Sequence, residues 1–421
     1  MPVTGWIAIL VVIGMIYLLV KRWETRLVLF GAGFILCCIS LDPMAGLNAF
    51  AKTMTNASLI MAICAATGFA YCITYTECDR SLVYYLSRPI RNIGLLLVPI
   101  TAIITFLINI AIPSAVGVGA VVGTTFIPLM IRAGIKPVAA AAAVLMGTTG
   151  SLLSPGLSHN AYVSEMAGMT IVDLISYHAV YSAMIGIVGA VGLAIVTFVL
   201  GDHKGDASAV TGAAGKDEKP FKPSAIRAII PVVPIVLLLV FTFWIPSVKM
   251  GVAQAMLIGT ILCVLVCLPD LQKYSNQFFK GMGDSYGSIM GIIIAAGVLA
   301  AGLKVSGLVD GLISIMVQSN EIAQWGGSFG PFILSVVMGS GDAGALAFNG
   351  AVTPHAQEFG MEIHKLGSLA FLAGAAGRTA SPIAGITILV AGIAQVNPFD
   401  VAKRTAVPML VACFLLAIFM R

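Results

Sequence analysis

Charge is what this chain has least of. Only 10% of its 421 residues are Asp, Glu, Lys or Arg, against 59% hydrophobic, and its mean hydropathy is +1.02. A soluble domain carries roughly 25% charged residues, so a soluble globular fold is excluded and the chain belongs in a bilayer. Nucleotide and metallohydrolase signatures are missing as well: there is no Walker sequence, no Rossmann fingerprint and no HExxH. Without a nucleotide-binding loop, active transport must draw on an ion gradient or on exchange. Ser158 and His159 are the nearest approach to a nucleophile and base, and adjacent residues on a helix do not face each other. An enzyme is therefore not expected. The eight cysteines lack metal-ligand spacing. Cys37-Cys38 and Cys263/Cys267 lie within apolar runs and read as small buried side chains. No metal and no cofactor are expected, with H+ or Na+ as the possible coupling ion. No cleavable signal is evident, because Lys21 and Arg22 follow the first apolar run and do not precede it. The net charge of +5 calls for no nucleic-acid partner.

What the chain does have is a near-repetition of itself. Gly117, Gly123, Gly147, Gly150, Ser154, Pro155 and Asp173 recur, in the same order and without a gap, as Gly344, Gly350, Gly374, Gly377, Ser381, Pro382 and Asp400. A half-length repeat with helix breakers in matched places marks a secondary transporter with its cargo site at the breaks.

The apolar runs predict an all-α polytopic membrane protein. Half one (1–200) reads as helices over 3–20, 25–42 and 54–77, a re-entrant hairpin over 94–132, an interrupted helix over 136–168, and a last helix over 174–200. Half two (228–421) repeats this with 228–247, 252–269 and 285–304, a hairpin over 328–357, an interrupted helix over 365–395, and 400–420. Each half crosses five times, giving about ten spans and two hairpins, and an odd number of crossings inverts the second half relative to the first. With both termini outside, seventeen basic residues fall in inside loops, among them Arg22, Arg80, Arg88, Arg91, Lys216, Lys219, Lys273 and Lys280. Five fall outside, namely Lys52, Lys249, Lys304, Lys365 and Arg421, and Arg378 lies within the membrane. That asymmetry matches the positive-inside rule. The polar stretch 201–227 reads as a cytoplasmic linker.

Breakers at membrane depth are tolerated where the freed backbone lines a cavity or finds other partners. Four sites qualify: the tip at Ser114, Ala115, Val116 and Gly117; the tip at Gly341, Asp342, Ala343 and Gly344; and the breaks at Ser154-Pro155 and Ser381-Pro382. Proline removes a helical hydrogen bond and leaves two half-helices. Two tips and two half-helix N-termini supply N–H donors and positive dipole ends, which suits a small organic dianion. Arg378, with Thr379 beside it, stands four residues before Pro382 and near the midplane. It either complements the C-terminal dipole of its own half-helix or pairs with a substrate carboxylate. Asp342 is a candidate proton or Na+ site or an ion-pair partner. His159, followed by Asn160, is placed to donate to an anion or carry a proton, or is a satisfied buried histidine. Asp173 and Asp400 are read as helix caps.

The block Gly377-Arg378-Thr379-Ala380-Ser381-Pro382-Ile383-Ala384-Gly385, with Val390-Ala391-Gly392 and Pro398-Phe399-Asp400-Val401-Ala402-Lys403-Arg404, closely resembles the C-terminal signature of the DcuC-type anaerobic C4-dicarboxylate transporters. Ala133-Gly134-Ile135, Ser164-Glu165-Met166 and Gly339-Ser340-Gly341 resemble that family too, and Asp342 stands where it often has Asn. The resemblance extends to the wider ion-transporter superfamily. It implies a homodimer in the bacterial cytoplasmic (inner) membrane that works as an elevator, with scaffold helices in 1–92 and 228–320. The moving hairpins and broken helices would lie in 93–200 and 321–421. The expected activity is uptake or exchange of succinate, fumarate or malate, by exchange or proton symport. A tricarboxylate carrier and a Na+/H+-type antiporter using Asp342 are the alternatives.

Overall fold

A computed structural model describes residues 3–21, 23–87, 96–205, 221–245, 247–308 and 320–420. Arg22, Arg88, Arg91, Lys216, Lys219 and Arg421, used above to set the orientation, lie outside these residues, as do 206–220 of the expected linker. Among the described residues the chain is helical, without strands.

The first half runs α1 (Val3–Val20), α2 (Thr25–Ile39), α3 (Pro43–Met54), α4 (Ala57–Tyr75) and α5 (Cys78–Ser87). A hairpin of α6 (Leu97–Ala111) and α7 (Ala115–Arg132) follows, then α8 (Pro137–Gly147), a 3₁₀ turn (Gly150–Leu153), α9 (Ser158–Ala167) and α10 (Ile171–Val199). The second half starts with α11 (Ala225–Ile229), which leads through a 3₁₀ turn into α12 (Val233–Phe243), and continues with α13 (Val252–Cys267). Helix α14 (Leu271–Ser285) then joins α15 (Gly291–Val305) through a π-helical turn, Tyr286–Met290. The last elements are α16 (Asn320–Met338), α17 (Gly341–Ala351), α18 (Ile363–Thr379), α19 (Gly385–Ala394) and α20 (Pro398–Phe419).

The register that lays Gly117 on Gly344 also carries the starts of α2, α9 and α10 (Thr25, Ser158, Ile171) onto those of α13, α19 and α20 (Val252, Gly385, Pro398). The halves also complete each other. Helix α2 packs on α15 while its counterpart α13 packs on α4, and α3 and α14 likewise cross to the opposite half. Among the described residues, seven helical stretches are long and apolar enough to cross a membrane: 57–75, 115–132, 137–167, 171–199, 225–243, 271–305 and 398–419. Helices α2, α6, α13 and α19 are apolar but shorter than 18 residues, and 4–19 of α1 is apolar as well. Large apolar side chains on outward faces, such as Ile187, Val191, Ile195 and Phe198 on α10 and Leu257, Ile261 and Leu265 on α13, are exposed. An apolar surface of that kind needs acyl chains for solvent.

Three short amphipathic helices replace stretches expected as loops. Lys52 lies on α3, Arg80 on α5, and Lys273 and Lys280 on α14. In α14 the buried positions Tyr274, Gly281 and Ser285 share one face, so the helix is held by packing and not by length of apolar run. The linker begins anchored: Asp202 is 2% exposed and pairs with Lys136 (3.2 Å) and Arg404 (3.0 Å). The caps of the final helices also differ from expectation. Thr170 caps α10 and Asn397 caps α20, so Asp173 and Asp400 occupy the first turn, where a carboxylate still complements the helix dipole.

Candidate functional site

The site is built where helices stop. At the first tip Ser114 Oγ accepts the Gly117 N–H (3.1 Å), and at the second Ser340 Oγ accepts the Ala343 N–H (3.1 Å). These serine caps turn α7 and α17 back from α6 and α16. Between α8 and α9, and again between α18 and α19, the chain is non-helical around Pro155 and Pro382. Leu157 and Ala384, which precede α9 and α19, offer no side-chain cap, so those first-turn N–H groups keep their donor capacity.

The repeated glycines have a steric cause. A Cβ on Gly150 would run into the Phe106 carbonyl on α6, and one on Gly377 would run into the Phe332 carbonyl on α16. In both halves the first hairpin arm lies backbone-to-backbone on the broken helix, and only glycine permits that approach. The alanine run of α8 works in the same way. Ala139 to Leu145 are fully buried, and these small side chains let α6, α7, α10, α19 and α20 crowd around one helix.

The four helix starts open onto one cavity of about 390 Å³. Its wall includes Pro113, Ser114, Ala115, Ser151, Ser158 and His159 from the first half, and Ser340, Gly341, Asp342, Arg378, Gly385 and Ile386 from the second. Taken in order, the two sets pair one to one under the repeat that lays Gly117 on Gly344. The backbone frame is therefore matched, but the side chains are not: Ala115 answers Asp342, Ser151 answers Arg378, and His159 answers Ile386.

His159 Nε2 lies 2.9 Å from Asp342 Oδ1, joining the two halves. The imidazole stacks on Phe371 with ring centroids 4.8 Å apart, and its Nδ1 is buried without a partner. Asp342 is 54% exposed, towards the cavity it lines. Arg378 Nη2 donates to the Thr148 carbonyl (2.8 Å), while its Nε is buried without a partner. The guanidinium thus caps the C-terminus of α8, the half-helix of the opposite repeat, and retains donors for a further acceptor.

Of the residues singled out in the sequence, Ser114, Ala115, Val116, His159, Gly341, Asp342 and Arg378 line the cavity. Gly117, Ala343 and Gly344 belong to the same first turns without forming its wall, and Gly344 packs on Ser335. Ser154, Pro155, Asn160, Thr379, Ser381 and Pro382 do not line it; they shape the breaks. Asn160 Nδ2 donates to the carbonyls of Leu152 (3.0 Å) and Ser154 (2.9 Å), and its Oδ1 meets His178 Nε2 at 3.1 Å. Ser381 Oγ donates to the Val336 carbonyl (2.7 Å), and the Thr379 carbonyl accepts from Thr405 Oγ1 (2.7 Å). The cavity also takes in residues that the sequence did not mark: Ile63, Ala66, Thr67 and Ala70 on α4, Ile289 in the π turn, and Phe371. The Ala/Thr spacing on α4 was the available signal, but within an apolar span it reads as helix packing.

Residues 39–420 match the DcuC family, described as the C4-dicarboxylate anaerobic carrier. The chain is 45% identical over 279 residues to an uncharacterized transporter of Haemophilus influenzae, covering 64% of this chain and all of that one. It is 26% identical over 438 residues to the anaerobic C4-dicarboxylate transporter DcuC of Escherichia coli K12, covering 96% of this chain and 93% of the relative. Among solved structures it is similar to the YdaH transporter of Alcanivorax borkumensis, with a TM-score of 0.61, 14% identity and coverage of 96% and 98% of the two chains, a likeness of fold. A family match across so much of the sequence, falling on an all-helical, lipid-facing architecture, makes the protein an integral membrane transporter, and the chain belongs to the DcuC family.

Proposed function

We propose that this chain is a secondary carrier of C4-dicarboxylates such as succinate, fumarate and malate. The observation that carries the reading is the meeting of four helix N-termini and the Arg378 guanidinium at one cavity. Donors spread over two repeat-related tips and two repeat-related breaks suit a ligand with a negative group at each end, because each dipole end favours an anion by up to ~2 kcal/mol. Arg378, with donors to spare, takes one carboxylate.

The inverted arrangement of the halves, the elevator motion and the homodimer belong to this proposal. The interlocking of α2 with α15 and of α4 with α13 supports a scaffold made jointly by the two halves. The hairpins and broken helices are the mobile part, and the protein resides in the cytoplasmic (inner) membrane with both termini outside. Asp342 and His159 are the coupling pair. A bare carboxylate in the wall repels a dianion, and a proton shared across the 2.9 Å contact removes that repulsion.

The test is uptake of labelled succinate into proteoliposomes, with and without internal dicarboxylate and under imposed pH and Na+ gradients. Accumulation that is accelerated by internal succinate or by inward acidity supports the reading, and no succinate movement under any condition removes it. The half-exposed Asp342 carboxylate also favours a second reading, a Na+/H+-type antiporter. That reading requires Na+-dependent pH changes in vesicles without dicarboxylate. A preference for citrate over succinate would move the cargo to the tricarboxylates.

A further inference from the structure

Helix α13 brings Cys263 and Cys267, four residues apart, against Cys78 at the first position of α5. The Cys78 Sγ lies 3.5 Å from Cys267 Sγ and 3.8 Å from Cys263 Sγ, and all three sulfurs fall within 4.8 Å of one another. Cys78 and Cys263 are buried, and Cys267, the last residue of α13, is partly exposed. We propose that these three thiols form a binding site for a closed-shell thiophilic cation, Zn2+ or Cu+.

Three features converge on that reading. With Zn–S bonds of about 2.3 Å, tetrahedral geometry sets neighbouring sulfurs about 3.8 Å apart, close to the 3.5 and 3.8 Å that separate Cys78 Sγ from the other two, and the third pair is within 4.8 Å. Next, Thr76 Oγ1, which donates to the Cys72 carbonyl at 2.9 Å, stands 3.2 Å from both Cys78 Sγ and Cys263 Sγ, so its lone pairs face the sulfurs as a neutral fourth ligand. The turn that places Thr76 and Cys78 is also unusual: Glu77 between them adopts φ 56°, a left-handed conformation that a non-glycine residue occupies at some cost. Finally, packing alone does not ask for cysteine here. The repeat-related positions, Leu36, Ser40 and Val305, carry none. An odd number of thiols also suits one cation better than a disulfide, which leaves one sulfur over, and soft ligands of this kind select Zn2+ and Cu+ among common cations. The cation would tie the α4–α5 turn to α13, and α5 is the helix that leads into the first hairpin.

The full-length protein, purified in detergent under reducing conditions, is titrated with Zn2+ or, anaerobically, with Cu+ against a chromophoric chelator, and bound metal is counted by mass spectrometry. One ion per chain is expected, the tighter arm identifying the metal. Co2+ in place of Zn2+ should give thiolate-to-metal charge-transfer absorption. Cys78→Ser, Cys263→Ser and Cys267→Ser should each weaken binding at least tenfold, while Cys413→Ser, outside the cluster, should not. Should a serine variant fail to fold, the wild type still decides: Zn2+ should slow maleimide labelling of Cys267 and a chelator should restore it. Absence of stoichiometric metal, wild-type affinity in Cys263→Ser, unaltered labelling, or a Cys78–Cys267 disulfide in the reduced preparation would each overturn the site.

Discussion

The two hairpin tips share a backbone and differ in charge. Both turn on a serine cap, both rest on a glycine-bearing broken helix, and both open onto the same cavity. Yet the first presents Ser114-Ala115-Val116, with Ser151 behind it, while the second presents Gly341-Asp342, with Arg378 behind it. The frame is duplicated and the ionisable groups are concentrated on one side, with His159 the single titratable contribution of the first half to the wall among the described residues. Repetition therefore explains the geometry of the site, and departure from repetition explains its chemistry.

The largest effect should come from removing the charge that has no counterpart. Arg378→Ala should lower succinate uptake on the order of 100-fold or more, the scale expected when one partner of a buried charged pair is truncated. Monodispersity on gel filtration should be kept, and unchanged uptake would take the arginine out of the mechanism. Asp342→Asn tests the other lone charge. Uptake driven by an imposed pH gradient should fall about tenfold, while exchange against internal succinate persists; the variant keeps a group able to hydrogen-bond His159. Retained coupling would move the proton elsewhere.

The duplicated frame makes predictions of its own. Gly150→Ala and Gly377→Ala should destabilise by similar amounts, roughly 1–3 kcal/mol each, because both force a hairpin arm off its helix. A thermal-shift series in detergent reads this, and a large effect in one half alone would break the equivalence. The smallest effects belong to the caps. Ser114→Ala and Ser340→Ala should each cost about 1 kcal/mol, visible as matched small losses of melting temperature.

The breaks are legible in the sequence because proline and glycine act locally. Pro155, Pro382 and the Ser114 and Gly341 tips all fall at interruptions between helices, and α19 begins at Gly385. What escapes depends on tertiary neighbours. The short helices α3, α5 and α14 have no long apolar run, and their residues pass for loops: α14 is held by one buried face, α5 is largely buried, and α3 buries Gly46 while exposing Met44, Leu47 and Phe50. By sequence Arg378 complements its own half-helix or binds substrate, but its partner in the fold is the Thr148 carbonyl, 230 positions away in the chain. Ser381 and Asn160 read as binding groups, and in the fold they hold the breaks open by donating to carbonyls. No local pattern distinguishes a polar side chain that faces cargo from one that satisfies a severed backbone.

The π turn at Tyr286–Met290 divides the halves in another respect. In the first half the corresponding path is cut at Asn56, whose side chain starts α4 afresh. In the second it runs unbroken from Leu271 to Val305, a rod of roughly 52 Å at 1.5 Å per residue. The hydrocarbon slab is only about 30 Å thick. Such a shaft must lean or protrude, and its polar initial third is the portion suited to emerge among headgroups. One half thus meets the water with a jointed strut, the other with a continuous mast.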